Sequence, residues 1–564
     1  MCALLLKHEP PKTKGFFGWF NRQFQKLTDA YGRLVMLTIR RAVISLVLLV
    51  GFIAAIVWLF KTTPTSFVPL EDQGYVLTAI VMPDAASLDR TVKMGDAVDK
   101  LYAEQPGVLN RSVINGYSLI DQGFKTNAST LFITLKDFKE RYKSLETAKL
   151  ENPRTILIDV YKKSFAINEA LVLPIPPPAI PGLGATGGFE FWIQSVGGGD
   201  ATQLDLLTQQ FLKAAKARPE LASLSTTFRA NSQQLKVDVD RDKATLLGVQ
   251  ISDVYSAIQA QFGSLIVSQF NQYSRSWFVI LQSDARFRLT PEDITKLYTR
   301  NQHGQMIPLT ALVRTSYVTG PDLLPHFNGF PAAKIIGSQA PGYSSGQAIA
   351  AMEEVARDIL PGGYQHAWSG IAYDEKQSGG TSMVAFVFGL IFVFLVLAAQ
   401  YESWTLPGAV MTAVPFGVLG ALVFNWMRGL DNDVYFQIGL LVLIGLGAKN
   451  AVLRVSAAVE LRQQGKSIIE ATMLAGERRL RPIVMTSLAF AFGVLPLALA
   501  LGAGANARHS IGTGIIGGML GETTLAMLYV PLFYYLFARF KEWRAERKAG
   551  PGIAPVAAPN GGSE

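Results

Sequence analysis

The sequence predicts an α-helical membrane bundle of six transmembrane helices, plus an α+β region of two ferredoxin-like subdomains with an inserted subdomain. Three observations predict it. Of the 564 residues 49% are hydrophobic and the mean hydropathy is +0.25, a balance that points to lipid. Six stretches approach or exceed the ~18 apolar residues that cross hydrocarbon as a helix, at 42–60, 381–399, 407–426, 434–455, 482–501 and 511–537. Roughly 320 residues of mixed polarity separate the first stretch from the second, too many for a loop. Within them, strand and helix patterns run twice in the order β-α-β-β-α-β.

Residues 1–14 read as the end of a preceding transmembrane helix and a linker; Met1 to Leu6 lack the basic start and cleavage site of a signal peptide. In 15–40, Phe16, Phe20, Phe24, Leu27, Tyr31 and Leu34 recur every three or four residues while Arg22, Lys26, Asp29 and Arg33 take the other face. That pattern predicts an amphipathic helix on the cytoplasmic surface. The first span occupies 41–62. The first α+β subdomain, 68–182, holds strands at 74–82, 108–115, 130–136 and 170–173 with helices at 87–102 and 153–165.

Pro176-Pro177-Pro178 and the glycine-rich run 182–188 form a rigid and then a flexible linker. The second subdomain comes in two halves, 188–232 and 326–372. Its strands are expected at 189–195, 221–227, 333–338 and 364–370, its helices at 202–217 and 346–359. The insertion, 233–325, includes strands at 237–240 and 278–282 and a helix at 252–262. Residues 380–540 carry spans two to six, and 541–564 read as a disordered cytoplasmic tail.

Lys and Arg cluster before the first span, between the fourth and fifth, and after the sixth, including Arg40, Arg41, Arg478, Arg479, Arg481, Arg539 and Arg544. Six crossings put all three clusters on one side, which the bias of basic residues makes cytoplasmic; the large block is then outside. The single cysteine, Cys2, falls on the cytoplasmic side, so the exported block folds without disulfides. The formal charge of +9 is read as anchoring to anionic lipid rather than as a nucleic-acid surface. No nucleotide loop, zinc spacing or nucleophile motif is present, and neither metal nor cofactor is expected.

Three ionisable residues fall inside expected spans, where such groups usually face a bundle interior and carry function: Lys449, Arg454 and Glu522. Lys449 follows Gly445, Gly447 and Ala448, small residues that let helices approach closely, so its ammonium calls for an acidic partner. Two readings are open for it, a proton-coupled exchange of partners and a fixed salt bridge. Thr486 could add a hydroxyl to such a network, although a lone Thr in a membrane helix more often bonds its own backbone.

The runs Asp431-Asn-Asp-Val-Tyr-Phe-Gln, Ile444-Gly-Leu-Gly-Ala-Lys-Asn-Ala, Arg479-Leu-Arg-Pro-Ile-Val-Met-Thr-Ser-Leu-Ala-Phe and Gly512-Thr-Gly-Ile-Ile-Gly-Gly-Met resemble the resistance-nodulation-division (RND) family, in its hydrophobe/amphiphile efflux branch. The resemblance covers nearly the whole chain and implies the C-terminal half of a pump subunit. It implies that the two α+β subdomains are porters, that the insertion docks, and that Lys449, Thr486 and Arg479 belong to a proton relay whose aspartates lie in an N-terminal half. Arg454 and Glu522 depart from the family pattern. Either they pair with each other, or Glu522 approaches Lys449, or Arg454 snorkels to the cytoplasm.

For the substrate pocket the resemblance puts a switch loop at 115–124, with Gly116, Tyr117 and Leu119 at matching positions, and Phe132 at a pocket phenylalanine. Ser112, Leu173 and Ile175 replace aromatic residues, and Ser225 and Thr227 replace a polar pair. An aromatic or Leu on such strands is as readily plain core. The implied function is proton-driven export of hydrophobic or amphiphilic compounds by a secondary transporter, not an enzyme. Implied partners are an N-terminal half carrying the relay aspartates, a homotrimer of complete pumps, a periplasmic adaptor and an outer-membrane channel of the TolC type. The implied site is the inner membrane of a Gram-negative bacterium, and 300–309, with His303-Gly304-Gln305, is the expected docking hairpin. Two alternatives stand beside it: a split or truncated half without transport of its own, and a metal-ion exporter. The second would need Met or carboxylate clusters, whereas Met82, Met94, Met306 and Met352 are scattered.

Overall fold

The computed structural model describes residues 14–378 and 381–549; the expected helix end at 1–13 and the tail beyond 549 lie outside them. Among the described residues, six helical segments are long and apolar enough to cross a membrane.

Helix α1 (Gly15–Arg40) precedes the first of them, α2 (Ala42–Thr62). The apolar residues of α1 do not share one covered face. Tyr31, Val35 and Ile39 are buried, with the Tyr31 hydroxyl donating to the Met527 carbonyl at 3.0 Å, whereas Phe16, Phe20, Leu27 and Leu34 stay exposed. Rotation of about 100° per residue turns Leu34 off the face that Val35 shares with Tyr31 and Ile39, and Phe16, Phe20 and Leu27 have no described helix over them.

The first α+β unit contains β1 (Tyr75–Val81), α3 (Leu88–Ala103), β2 (Val108–Ser118), β3 (Gly123–Leu135), α4 (Pro153–Ser164) and β4 (Leu171–Ile175). Its antiparallel sheet has the order β2-β3-β1-β4. Strand β1 is central, so Val76 to Ile80 are buried on both faces. Helix α3 turns Thr91, Gly95, Val98 and Tyr102 toward the sheet at helical spacing, and the Tyr102 hydroxyl meets the Thr78 hydroxyl at 2.5 Å. Asn152 caps α4, accepting from the Arg154 amide at 2.9 Å ahead of Pro153. Below the sheet, Arg141 is wholly buried and grips both carboxylate oxygens of Asp72 at 2.6 and 3.0 Å.

The second unit repeats the plan with β5 (Phe189–Ser195), α5 (Ala201–Ala215), β6 (Leu221–Thr226), then, after the insertion, β13 (Phe330–Gln339), α7 (Ser345–Ile359) and β14 (Tyr364–Ser369). Its strands run β6-β13-β5-β14, the same order by position as in the first unit. Stacked Phe191 and Phe211, with Trp368 edge-on, centre its core. Ala79, Ile120 and Ile175 of the first unit close against Ile336 of the second. The insertion pairs β7 (Ser232–Val239) with β12 (Val313–Gly320) beside α6 (Ile251–Phe262). It also extends a ribbon of β8 (Leu265–Gln272) and β9 (Arg275–Leu281), nearly all of it exposed, of which only the second strand is legible in the sequence. A short hairpin, β10 (Tyr298–Arg300) with β11 (Met306–Pro308), carries His303 and Gly304 in its turn.

After α8 (Ile371–Ser378) come the remaining membrane helices. They are α9 (Thr381–Tyr401), α10 (Thr405–Met411), α11 (Val414–Met427), α12 (Val434–Gln463), α13 (Ile468–Ala498), α14 (Ala505–Gly521) and α15 (Met527–Ala549). The third span, read as one stretch, breaks at residues 412–413, because Pro415 has no amide for the Met411 carbonyl and its ring crowds that turn. The sixth continues through a π turn at Glu522–Ala526 and runs to Ala549, past the expected tail boundary at 541; Arg462 pairs with Glu542 there. Helices α11 and α14 meet backbone to backbone at Gly420, Gly517 and Gly521, as small residues permit. At the end nearer the α+β units, Glu71 caps α14 from a distance, its carboxylate accepting the Asn506 amide at 3.2 Å and the Ala507 amide at 2.6 Å.

Candidate functional site

Lys449 lies on a stripe of α12, with Ile438, Val442 and Gly445, that the described chain leaves exposed. It stands fifteen residues after Val434, roughly 22 Å along the axis at ~1.5 Å per residue. Around Gly445 there is nothing within 4 Å of where a Cβ would stand, so the stripe is open there, and its other members are apolar. Among the described residues Lys449 makes no ion pair. Thr486 is exposed on α13, which packs against α12, and its hydroxyl donates to the Ile483 carbonyl at 3.0 Å. That is the backbone bond expected of a lone membrane Thr. Arg479 is half-buried seven residues earlier on α13. Lys449 and Thr486 thus belong to uncovered faces of neighbouring helices.

The two unusual charges behave otherwise. Arg454 and Glu522 are 4% and 3% exposed, so Arg454 does not snorkel. They form no salt bridge: Arg454 donates to the carbonyls of Asn450 at 3.3 Å and Ala526 at 3.4 Å, and neither Glu522 oxygen has a hydrogen-bond partner. Nor does Glu522 approach Lys449. Its carboxyl lies over Gly447, on α12, and Gly417, on α11, where added Cβ atoms would collide with it. A helix turns about 100° per residue, which sets Lys449 on nearly the opposite side of α12 from Gly447.

A carboxylate cluster that the sequence does not mark as a site lies where the bundle meets the α+β units. Glu375 of α8 accepts from the Ser345 hydroxyl at 2.9 Å, and burial, with the nearby Asp431 charge adding to it, pushes its carboxyl up to about 7. Burial and the neighbouring Asp433 raise Asp431 to about 6. Asp433 caps α12, accepting from the Phe436 amide at 2.7 Å and from the Ser510 hydroxyl at 2.6 Å. The Asp431-Asn-Asp run was the available signal; Glu375 joins it only through folding.

In the α+β block the expected loop at 115–124 is mostly strand. Residues 115–118 and 123–124 belong to β2 and β3, leaving only 119–122 as the turn, because ladder pairing persists past a bulge at Gly116. Gly116 has φ +85°, a conformation that favours glycine. Tyr117 stands edge-on to Phe124 at 5.9 Å. The turn is tied to the second unit: Thr227 donates to Asp121 at 2.6 Å, Lys125 pairs with Asp121 at 3.1 Å and Asp322 at 3.4 Å, and Lys334 donates to the Ile120 carbonyl at 3.3 Å.

A small cavity opens beside it, lined by Asp121, Lys125, Thr227, Arg229 and Asp322 among others. Of the candidate pocket residues, only Thr227 reaches that cavity. Ile175, Leu77, Phe132 and Ser112 form one transverse row across the sheet face away from α3 and α4. Ile175 is buried and Phe132 is 36% exposed. Leu173 packs beside Ile175 in the apolar contact between the units, Leu119 is buried at the turn, and the Ser225 hydroxyl is buried without a hydrogen-bond partner.

A bundle of apolar helices with ionisable groups at mid-depth, carrying two α+β units on one side, is the architecture of a membrane transporter. Residues 1–538 match the AcrB/AcrD/AcrF family, and the chain belongs to it, the RND efflux group that its motifs resemble. It is 38% identical over 542 residues to the toluene efflux pump membrane transporter TtgB of Pseudomonas putida, covering 95% of this chain and 51% of that protein. It is 39% identical over 553 residues to the multidrug export protein AcrF of Escherichia coli, covering 96% and 52%. To the multidrug resistance protein MdtF of Escherichia coli it is 38% identical over 558 residues, covering 96% and 53%. The chain spans about half the length of the curated relatives it matches.

Proposed function

We propose that this chain forms half of a proton-driven exporter of hydrophobic or amphiphilic compounds in the inner membrane of a Gram-negative bacterium. The uncovered faces of α12 and α13 would meet a second set of helices, whichever chain encodes it, that supplies carboxylates to Lys449. One observation carries the reading: the Lys449 ammonium lies at mid-depth on an exposed, apolar stripe. Leaving such a charge in lipid costs about 3 kcal/mol or more, a cost that a facing carboxylate would offset. Thr486 and Arg479 complete the relay on α13, and its titration would move α12 against the α+β units. The names of the relatives, efflux pumps and multidrug export proteins, support the cargo class.

Substrate would pass over the open sheet face of the first unit, by Phe132, Ile175 and Leu173, and past the turn with Gly116, Tyr117 and Leu119 toward Ser225 and Thr227. The two units act as porters. The insertion, through the β10–β11 turn, would dock a periplasmic adaptor and a TolC-type outer-membrane channel on a trimer of complete pumps.

The test is solvent and drug susceptibility of an efflux-deficient host carrying this chain together with the N-terminal half of TtgB. Resistance should require both halves and be lost in Lys449→Ala. Resistance undiminished by Lys449→Ala sinks the relay.

A further inference from the structure

Glu522 opens the π turn that joins α14 to α15, an irregularity often found at functional positions. Its side chain is buried, with the carboxyl against Gly417 of α11 and Gly447 of α12, and its two oxygens have no hydrogen-bond donor. An ionised carboxylate held in that way would cost several kcal/mol, so the carboxyl in this geometry is neutral. The fold makes room for it: Gly417 leaves a gap that a Cβ would fill 2.7 Å from Oε1, and Gly447 leaves another. A side chain that needs two glycines to fit, and then bonds to nothing, is not packing filler.

Arg454 is the only cation near it among the described residues, and it is suspended. Its guanidinium holds two carbonyls through long bonds, and one of them, Ala526, is the last residue of the same π turn. Arg454 also lines a small cleft with Thr472, Gly476 and Tyr534, at the half of α12 nearer the basic loops. The other titratable groups facing this region are Tyr31 of α1, beside Arg454, Glu477 of α13, beyond Tyr31, and Tyr529 of α15, whose hydroxyl donates to the Ser45 carbonyl at 3.1 Å. Helix α11 carries no ionisable residue between Val414 and Met427, and those of α14, Arg508 and His509, lie at its N-terminal end.

We propose that Glu522 is a second proton-binding site, separate from Lys449, and that Arg454 is its alternating partner. With the proton bound, Arg454 stays on the Asn450 and Ala526 carbonyls. When the O–H bond breaks, the electron pair stays on the carboxylate, the proton passes to water, and the guanidinium leaves Ala526 for Glu522. The release of the Ala526 carbonyl frees the π turn to slide against α12. Proton occupancy is thereby registered on the face of α12 opposite Lys449.

The experiment is a pH titration of the purified chain in lipid nanodiscs, labelled with ¹³C-carboxyl glutamate in a Glu375→Gln background. The readout is the infrared C=O stretch of a buried protonated glutamate. The band should be present at neutral pH, disappear in Glu522→Gln, and persist to higher pH in Arg454→Met by about one pH unit or more, a tenfold tighter hold on the proton. Lys449→Ala should leave it in place, so the outcome is independent of the relay. If Glu522→Gln does not fold, the Arg454→Met comparison decides alone. A band unaffected by Glu522→Gln, no such band at any pH, or a midpoint unmoved in Arg454→Met overturns the proposal.

Discussion

Replacing Gly517 by Ala tests how the bundle is held together. Gly517 of α14 faces α11, and a Cβ there would lie 2.6 Å from the Gly420 carbonyl oxygen and 2.6 Å from the Phe424 Cβ. Ordinary contact begins near 3.4 Å, so the methyl overlaps its neighbours by about 0.8 Å. Both obstacles sit on or next to the helix backbone and cannot rotate aside, so the helices must part. Overpacking of this kind costs about 1–3 kcal/mol, and a rigid neighbour puts it at the upper end. Ala returns up to about 1 kcal/mol of helix propensity relative to Gly, leaving a net loss of about 2 kcal/mol. Gly445→Ala is the control, since nothing lies within 4 Å of its Cβ position, and it should be neutral or slightly stabilising. The assay is unfolding of the purified chain in mild detergent by titration with sodium dodecyl sulfate, followed by helical circular dichroism. Equal midpoints for Gly517→Ala and the wild type, or equal losses in both variants, would refute close backbone packing as the cause.

Two further outcomes follow from other parts of the fold. Arg141→Ala leaves Asp72 without its bidentate partner in a site where the arginine side chain is wholly buried, and should cost about 3–5 kcal/mol; a loss below ~1 kcal/mol on denaturant melting would show the pair to be dispensable. Glu375 and Asp431, raised to about 7 and about 6 from 4.5 and 3.8, hold protons more tightly folded than unfolded. Their contribution to stability is therefore complete below about pH 4 and lost as pH rises through 6 to 7, on the order of 3 kcal/mol for Glu375 and less for Asp431, which water partly screens. The thermal midpoint should fall between pH 5.5 and pH 8, and Glu375→Gln should flatten that dependence; an identical slope in the variant would assign it elsewhere.

Much of this protein is determined locally. Apolar run length, the strand period in Tyr75–Val81 and the three- or four-residue spacing of Thr91, Gly95, Val98 and Tyr102 depend on near neighbours in the chain, and the sequence alone determines them. The motif around Lys449 is local too, so the family was legible. Tertiary structure alone decided which way each charge faces. Lys449 and Arg454 sit five residues apart on one helix, yet one is exposed and the other buried, because what covers a helix face comes from distant segments. The vacant oxygens of Glu522, the Glu375–Asp431 proximity and the strand extension that turned an expected loop at 115–124 into a hairpin arise in the same way. Hydrogen bonding and desolvation act through space, and hydropathy along the chain carries no record of them.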